Sequence, residues 1–239
     1  MIYMVKIRII LPTYNEKDNL VILIPKLFEF FNKNKLDADI LIIDDNSPDK
    51  TSDFVKEIAN DFPIKLIKRR NKKGLGTAYV LGFKDSIKEN IDIIFEMDAD
   101  LSHKPQYILD FIKKINEGYD LVLGERKKFI DWGFIRKIVS RGGNLIGKYL
   151  AGIKVNDLTT GYRAYRKEVL NTINLDKIES EGYAFQLEMI YKTLANGFKV
   201  GSVPITFYGR KSGKSKLSKV DIIEFFILAL KIRLRLVDV

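Results

Sequence analysis

Between residues 6 and 123, short apolar runs alternate with stretches whose apolar residues recur at helical spacing, and this alternation most narrows the possible folds. Strand-like runs fall at 6–11, 40–43, 64–67, 92–97 and 119–123. Helix-like segments lie between them, at about 19–32, from Ser47 to about 60, from Gly74-Leu75-Gly76 to about 88, and at about 105–117 before Gly118. Ser47 is placed to cap its helix, with Pro48 at the first position. Such alternation predicts an α/β fold: a mostly parallel sheet with helices on both faces. In the second half, helices are expected at 135–150 and 183–196, a strand at 199–207, a loop rich in Gly, Ser and Lys at 209–218, and a last helix from about Val220. There is no internal repeat and no proline-rich linker, so residues 1–219 read as one domain followed by an amphipathic helix over 220–239.

Composition limits the chemistry. Of 239 residues, 46% are hydrophobic and 30% charged, enough apolar material for a sizeable core. There is no cysteine, so disulfides and thiolate metal sites are excluded, and the single histidine, His103, excludes a site built from several imidazoles. A net charge of +10 favours anionic partners: nucleotides, nucleic acid or an anionic membrane surface. The apolar run 5–11 is too short and too charged for a secretory signal. No segment reaches the roughly 18–20 apolar residues of a membrane span. The nearest, 222–230, is interrupted by Glu224 and followed by Lys231.

The polar clusters that end the strands carry the functional signal. Asp98-Ala99-Asp100 closes the fourth strand run, where ligands bind in open parallel sheets. Oxygen donors of this kind suit Mg²⁺ or Mn²⁺, ions usually shared with substrate phosphates. Pro12-Thr13-Tyr14-Asn15-Glu16 follows the first run and Asp44-Asp45-Asn46-Ser47 the second, so three polar clusters are expected on one sheet edge, within reach of a base or ribose. Gly74-Leu75-Gly76 is no dinucleotide fingerprint, because Tyr79 stands where the third glycine belongs, and no G-x-x-x-x-G-K-[ST] loop is present. The basic cluster Lys68-Arg69-Arg70-Asn71-Lys72-Lys73 reads as a solvated turn near that edge.

Six motifs in order resemble the dolichol-phosphate mannose synthases of glycosyltransferase family 2: 10–16 (Ile-Leu-Pro-Thr-Tyr-Asn-Glu), 43–49, 74–78, Met97 to His103, Thr160-Gly161-Tyr162-Arg163-Ala164 and Ser215-Lys216-Leu217. The resemblance implies a GT-A fold, Rossmann-like, and inverting, metal-dependent transfer of mannose from GDP-mannose to dolichyl or another polyprenyl phosphate. It further implies that Pro12, Tyr14, Glu16, Ile43 and Asp45 contact the guanosine part. Asp98, Ala99 and Asp100 would meet the donor diphosphate and an Mg²⁺ or Mn²⁺ ion, with Asp100 and Arg126 in the catalytic centre. Arg210 and Lys216 match basic positions that close over the donor, and Arg126, Arg136 and Ser140 match positions that hold the acceptor phosphate. One departure stands out: many relatives carry Gln as a further metal ligand where this chain has Ser102, a shorter and weaker donor.

The resemblance also implies peripheral attachment to the cytoplasmic face of a membrane, with or without a small membrane partner. Ile135, Ile138, Val139, Leu145, Ile146 and Tyr149 share one helical face opposite Lys137, Arg141 and Lys148. Ile222, Phe225, Phe226, Ala229 and Ile232 likewise oppose Glu224, Lys231 and Arg235. Either stripe fits the membrane interface or the protein core. The alternatives are a sibling that loads glucose or another sugar onto a polyprenyl phosphate, a transferase with a soluble acceptor, a silent nucleotide-binding subunit, and a nucleic-acid-binding module. The last leaves the acidic pair unexplained, and nucleic acid is not an expected partner.

Overall fold

The structure, a computed structural model, describes residues 5–131, 133–178, 180–209 and 219–238, with side chains at all of these except 134–136, 138, 139 and 219. Strands β1 (Lys6–Thr13), β2 (Asp37–Asp44), β3 (Ile64–Lys68), β4 (Ile93–Glu96), β5 (Leu121–Ile130), β6 (Arg163–Arg166) and β7 (Val200–Tyr208) make one sheet in the order β3-β2-β1-β4-β6-β5-β7. Adjacent strands pair in parallel except at β6, which runs against both β4 and β5. The helices are α1 (Lys17–Lys33), α2 (Thr51–Ile58), α3 (Leu75–Lys88), α4 (Ile108–Asn116), α5 (Phe134–Ala151), α6 (Lys167–Thr172), α7 (Gly182–Ala195) and α8 (Lys219–Arg233).

Period-two alternation inside the apolar runs feeds two cores. Ile7, Ile9 and Leu11 of β1 meet Leu23, Leu27 and Phe31 of α1 and Phe111 of α4. Ile10, between them, belongs to the other core, with Tyr79 and Phe83 of α3 and Phe185 of α7. Strands buried on both faces therefore read as unbroken apolar runs, the pattern of a parallel sheet with helices on either side. The edge where β1 begins is closed by ions: Arg8 is buried and bonds to Asp39, Asp85 and Glu89. The opposite edge, where β1, β2 and β4 end, is left for function.

The predicted elements recur with shifted ends, but β6 and α6 were not anticipated. β6 reads Arg-Ala-Tyr-Arg, and a four-residue strand bounded by arginines shows neither alternation nor an apolar run.

The two amphipathic helices resolve differently. α5 packs on the body through Asn144, Gly147 and Ala151, a β-carbon on Gly147 falling 2.5 Å from the Phe225 ring, while Leu145, Ile146 and Tyr149 face outward. In α8 the predicted stripe turns inward, with Phe225, Ala229 and Ile232 buried. Its opposite face, unforeseen, exposes Val220, Ile223, Ile227, Leu230 and Leu234, spaced as one helical stripe. Among the described residues no helix is long and apolar enough to cross a membrane.

Candidate active site

Parallel register brings the three strand-end clusters together, as expected. Pro12 pairs with Ile43, Thr13 with Asp44, and Ile10 with Glu96, so the loops that follow share one edge. Each loop turns through a left-handed residue: Asn15 at φ 59°, Asn46 at φ 56° and Leu101 at φ 66°. Asparagine tolerates that conformation, whereas leucine holds it at a cost of about 1–3 kcal/mol and only where its surroundings enforce it. Leu101 is buried beside Asp100.

The two adjacent carboxylates after β2 divide their work. Asp44 is fully buried, and burial alone would raise its pKa. The Ser47, Ser52 and Thr13 hydroxyls and the Ser47 amide, at 2.5–3.0 Å, hold it below the usual range instead. This engagement overturns the predicted Ser47 cap. α2 starts at Thr51, whose amide donates to Asp49 Oδ1 (3.0 Å), while Asp49 Oδ2 accepts from Lys17 N at the start of α1 (3.1 Å). Asp45 lies nearer the edge and pairs with Arg69. That arginine also donates to Thr77 Oγ1 (2.7 Å) and Gly74 O (2.8 Å), so one member of the basic cluster is buried and ties β2 to the Gly-Leu-Gly turn rather than standing in solvent. Tyr14 is half-buried under Lys72 Nζ, 4.6 Å from the ring centre, and Glu16 Oε2 accepts from Asn19 Nδ2 at 2.7 Å. Pro12 is half-buried and Ile43 buried in the same corner.

Asp98 and Asp100 end β4 with unequal access: Asp98's side chain is 28% exposed, whereas Asp100 is buried and its Oδ1 accepts from Ser102 N at 3.1 Å. Ala99 is buried between them. His103, given no role at the site from sequence, braces the pair. Its Nδ1 accepts from Asp98 N (3.3 Å), which leaves the ring proton on Nε2, 4.0 Å from Asp98 Oδ2. The ring is stacked on Tyr162 with centres 4.9 Å apart. Gly161 passes so close that a β-carbon there would lie 3.3 Å from both Asp98 carboxylate oxygens. Ser102 Oγ is fully buried with no hydrogen-bond partner among the described atoms. Among the described residues no cluster of three His, Cys, Asp or Glu could hold a metal. The donor set does fit an ion completed by ligand phosphates: two carboxylates, and an orphaned hydroxyl that such an ion or its water would satisfy.

Arg126 is held more tightly than a free phosphate ligand would be. Its Nε and NH2 donate to the two oxygens of Asp157 (2.7 and 2.6 Å), and NH2 also donates to Thr159 Oγ1 (2.6 Å). NH1 is the remaining donor group. Burial would lower the Arg126 pKa, but Asp157 raises it, and the same contact holds Asp157 below the usual carboxylate range against its own burial. Ser140 and Arg136 fall one turn apart in α5, and Ser140 is half-buried. Arg210 and Lys216 lie outside the described residues.

Below the acidic pair sits a second polar layer that sequence reasoning missed. Glu96 is fully buried, accepts from Tyr165 OH (2.7 Å) and Gln186 Nε2 (2.8 Å), and burial raises its pKa despite Arg163 nearby. Arg163 is itself wholly buried and donates to the carbonyls of Thr160, Gln186 and Leu158 at 2.7–3.0 Å. Asp157, two residues before a Thr-Thr-Gly run, and Asn144, after Gly142-Gly143, were also unforeseen and carry no signal in a single sequence beyond being polar.

Comparison with known proteins agrees with this geometry. The profile of glycosyl transferase family 2 matches residues 8–173. Undecaprenyl-phosphate mannosyltransferase from Micrococcus luteus is 38% identical over 214 residues, covering 87% of this chain and 86% of that protein. Polyprenol monophosphomannose synthase from Mycolicibacterium smegmatis is 36% identical over 222 residues, covering 90% and 82%. Among solved structures, glucosyl-3-phosphoglycerate synthase from Mycobacterium tuberculosis, crystallised with Mn²⁺, UDP-glucose and glycerol 3-phosphate, superposes with a TM-score of 0.71 at 17% identity, covering 98% of this chain and 81% of that one. The sheet and its helices are those of a GT-A fold.

Proposed function

The chain belongs to glycosyltransferase family 2, and from that premise we propose that it transfers mannose from GDP-mannose to the phosphate of a dolichyl-type or other polyprenyl lipid, with inversion. The observation that carries the reading is Asp98-Ala99-Asp100, set on one sheet edge between the base-side loops and Arg126. The names of the relatives matched over most of their length favour a mannosyl donor and a polyprenyl phosphate acceptor.

In this reading Tyr14, Glu16, Pro12, Ile43 and Asp45 line the nucleoside pocket. Asp98 and Asp100, with Ser102, would hold Mg²⁺ or Mn²⁺, which when bound offsets the negative charge of the diphosphate leaving group. Arg210 and Lys216 would close over the donor from the segment before α8. The acceptor is a phosphate monoester whose second pKa near about 6 leaves it ionised at neutral pH. Its oxygen attacks the anomeric carbon as the bond to the diphosphate breaks, and GDP carries away the electron pair. Such a nucleophile needs positioning rather than deprotonation, so arginines suffice: NH1 of Arg126, held in place by Asp157, and Arg136 with Ser140 on α5.

A polyprenyl chain stays in lipid while its phosphate reaches the site. The outward faces of α5 and α8 supply an apolar surface for that contact, and the net charge of +10 favours an anionic bilayer. Exchanging Ile223, Ile227 and Leu230 for Glu together is expected to lower binding to anionic phospholipid vesicles by about tenfold or more, with the melting temperature unchanged because these side chains are exposed. Equal co-sedimentation of variant and parent would remove α8 from the contact.

The donor and acceptor are tested together. Purified protein, a short polyprenyl phosphate and a panel of radiolabelled sugar nucleotides are incubated with Mg²⁺, Mn²⁺ or chelator. Lipid-linked product from GDP-mannose alone, abolished by chelator, is the expected result. Product from a glucosyl donor instead would establish the sibling activity.

A further inference from the structure

We propose that Asn144 is a positioning residue that sets the distance between the acceptor side of the site and the aspartate pair. It lies in the middle of α5, one turn beyond Ser140, and is buried. Both ends of its amide are used. Oδ1 accepts from Leu158 N at 2.7 Å, and Nδ2 donates to Thr159 Oγ1 at 3.2 Å and to Ser140 O at 3.0 Å. The segment it grips leads to both halves of the site. Thr159 Oγ1 also accepts from Arg126 NH2 (2.6 Å), and two residues on, Gly161 lies against Asp98. A single side chain thus links the helix turn bearing Ser140 to Arg126 on one side and to Asp98 on the other.

Among the described residues, few other contacts fix that turn of α5. Gly142 and Gly143 have open space where a side chain would be, and the tight packing of Gly147 on Phe225 lies one turn further from Ser140. The neighbouring contact of Arg141 is a cation–π approach to Phe129, 5.7 Å from the ring centre. The amide suits the task because one end must accept and the other donate. Leucine keeps its branched skeleton, at larger volume, but offers neither group, and aspartate keeps the bond from Leu158 N while losing both donations.

The inference rests on the proposed acceptor site, and the test separates the two. Asn144→Leu and Asn144→Asp are assayed for transfer to polyprenyl phosphate at saturating substrates, for GDP affinity in the presence of Mn²⁺, and for melting temperature. Misplacement of the acceptor by about 1 Å is worth roughly 10²-fold in rate, so kcat is expected to fall by about 10- to 100-fold in the leucine variant and less in the aspartate variant, with GDP affinity within about twofold of wild type. Undiminished kcat in a folded variant would overturn the inference, and so would a loss of GDP affinity matching the loss of kcat, which marks general damage. Should the leucine variant fail to fold, the aspartate variant is read by the same criteria. Wild-type protein that transfers nothing to polyprenyl phosphate would instead sink the functional reading, and the inference with it.

Discussion

Asp100→Asn is expected to lower sugar transfer to polyprenyl phosphate by at least about 10²- to 10³-fold, the range for losing one preorganised electrostatic contact to a developing charge. The replacement is nearly isosteric. Its carbonyl oxygen can still accept from the Ser102 amide, so the turn through Leu101 keeps its support. What disappears is one negative charge at the proposed ion site. The loss should therefore appear in kcat and as weaker Mn²⁺-dependent GDP binding, while far-UV circular dichroism and the melting curve of the metal-free protein stay close to wild type. Initial rates at saturating donor, acceptor and metal decide the matter. A folded variant retaining more than a fifth of wild-type activity would remove Asp100 from the proposed ion site.

Arg163→Met should cost stability on a scale comparable to the whole margin of many domains, about 3–5 kcal/mol. Arg163 is wholly buried and gives its donors to three main-chain carbonyls. Methionine fills much of the volume but leaves the carbonyls of Thr160 and Leu158 unpaired in a dry interior, where each orphaned group costs about 1–3 kcal/mol, while the Gln186 carbonyl inside α7 keeps only its helical bond. It also strips Glu96 of the nearby positive charge that opposes its desolvation. Urea denaturation monitored by tryptophan fluorescence or circular dichroism measures the loss. Adding Glu96→Gln to the methionine variant should recover about 1 kcal/mol or more, because the carboxyl no longer needs that charge. A destabilisation below about 1 kcal/mol would mean that water satisfies the abandoned carbonyls.

Much of the strand-end edge was legible in the sequence, for a physical reason. Strands such as β1 and β2 are buried on both faces, so their apolar runs stand out, and parallel pairing forces their ends to one edge. Asp98 and Asp100 could be placed because they interrupt such a run. The second half was harder. β6 has no apolar run because Arg163 stands inside it, solvated by carbonyls that only tertiary structure supplies. Ser47 looks like a helix cap by local rules, but the buried Asp44 claims it through a contact fixed by the sheet. Arg69 is indistinguishable in sequence from its solvated neighbours, and only the position of Asp45 selects it. The partners of Arg126 are equally non-local, Asp157 lying 31 residues away. In α8 both faces are apolar, so periodicity could not tell the packed stripe from the exposed one.

The reversed strand β6 bears on how such a site can move. Enzymes that join a nucleotide half to an acceptor half often bend at a linker between them. Here β6 is hydrogen-bonded to β4, which carries the aspartates, and to β5, which carries Arg126, so the boundary is a seam of continuous sheet rather than a hinge. Rotating one half against the other would tear that ladder. Closure over a sugar nucleotide is therefore expected from the loops along the sheet edge, with β4 and β5 held at one spacing by the ladder between them.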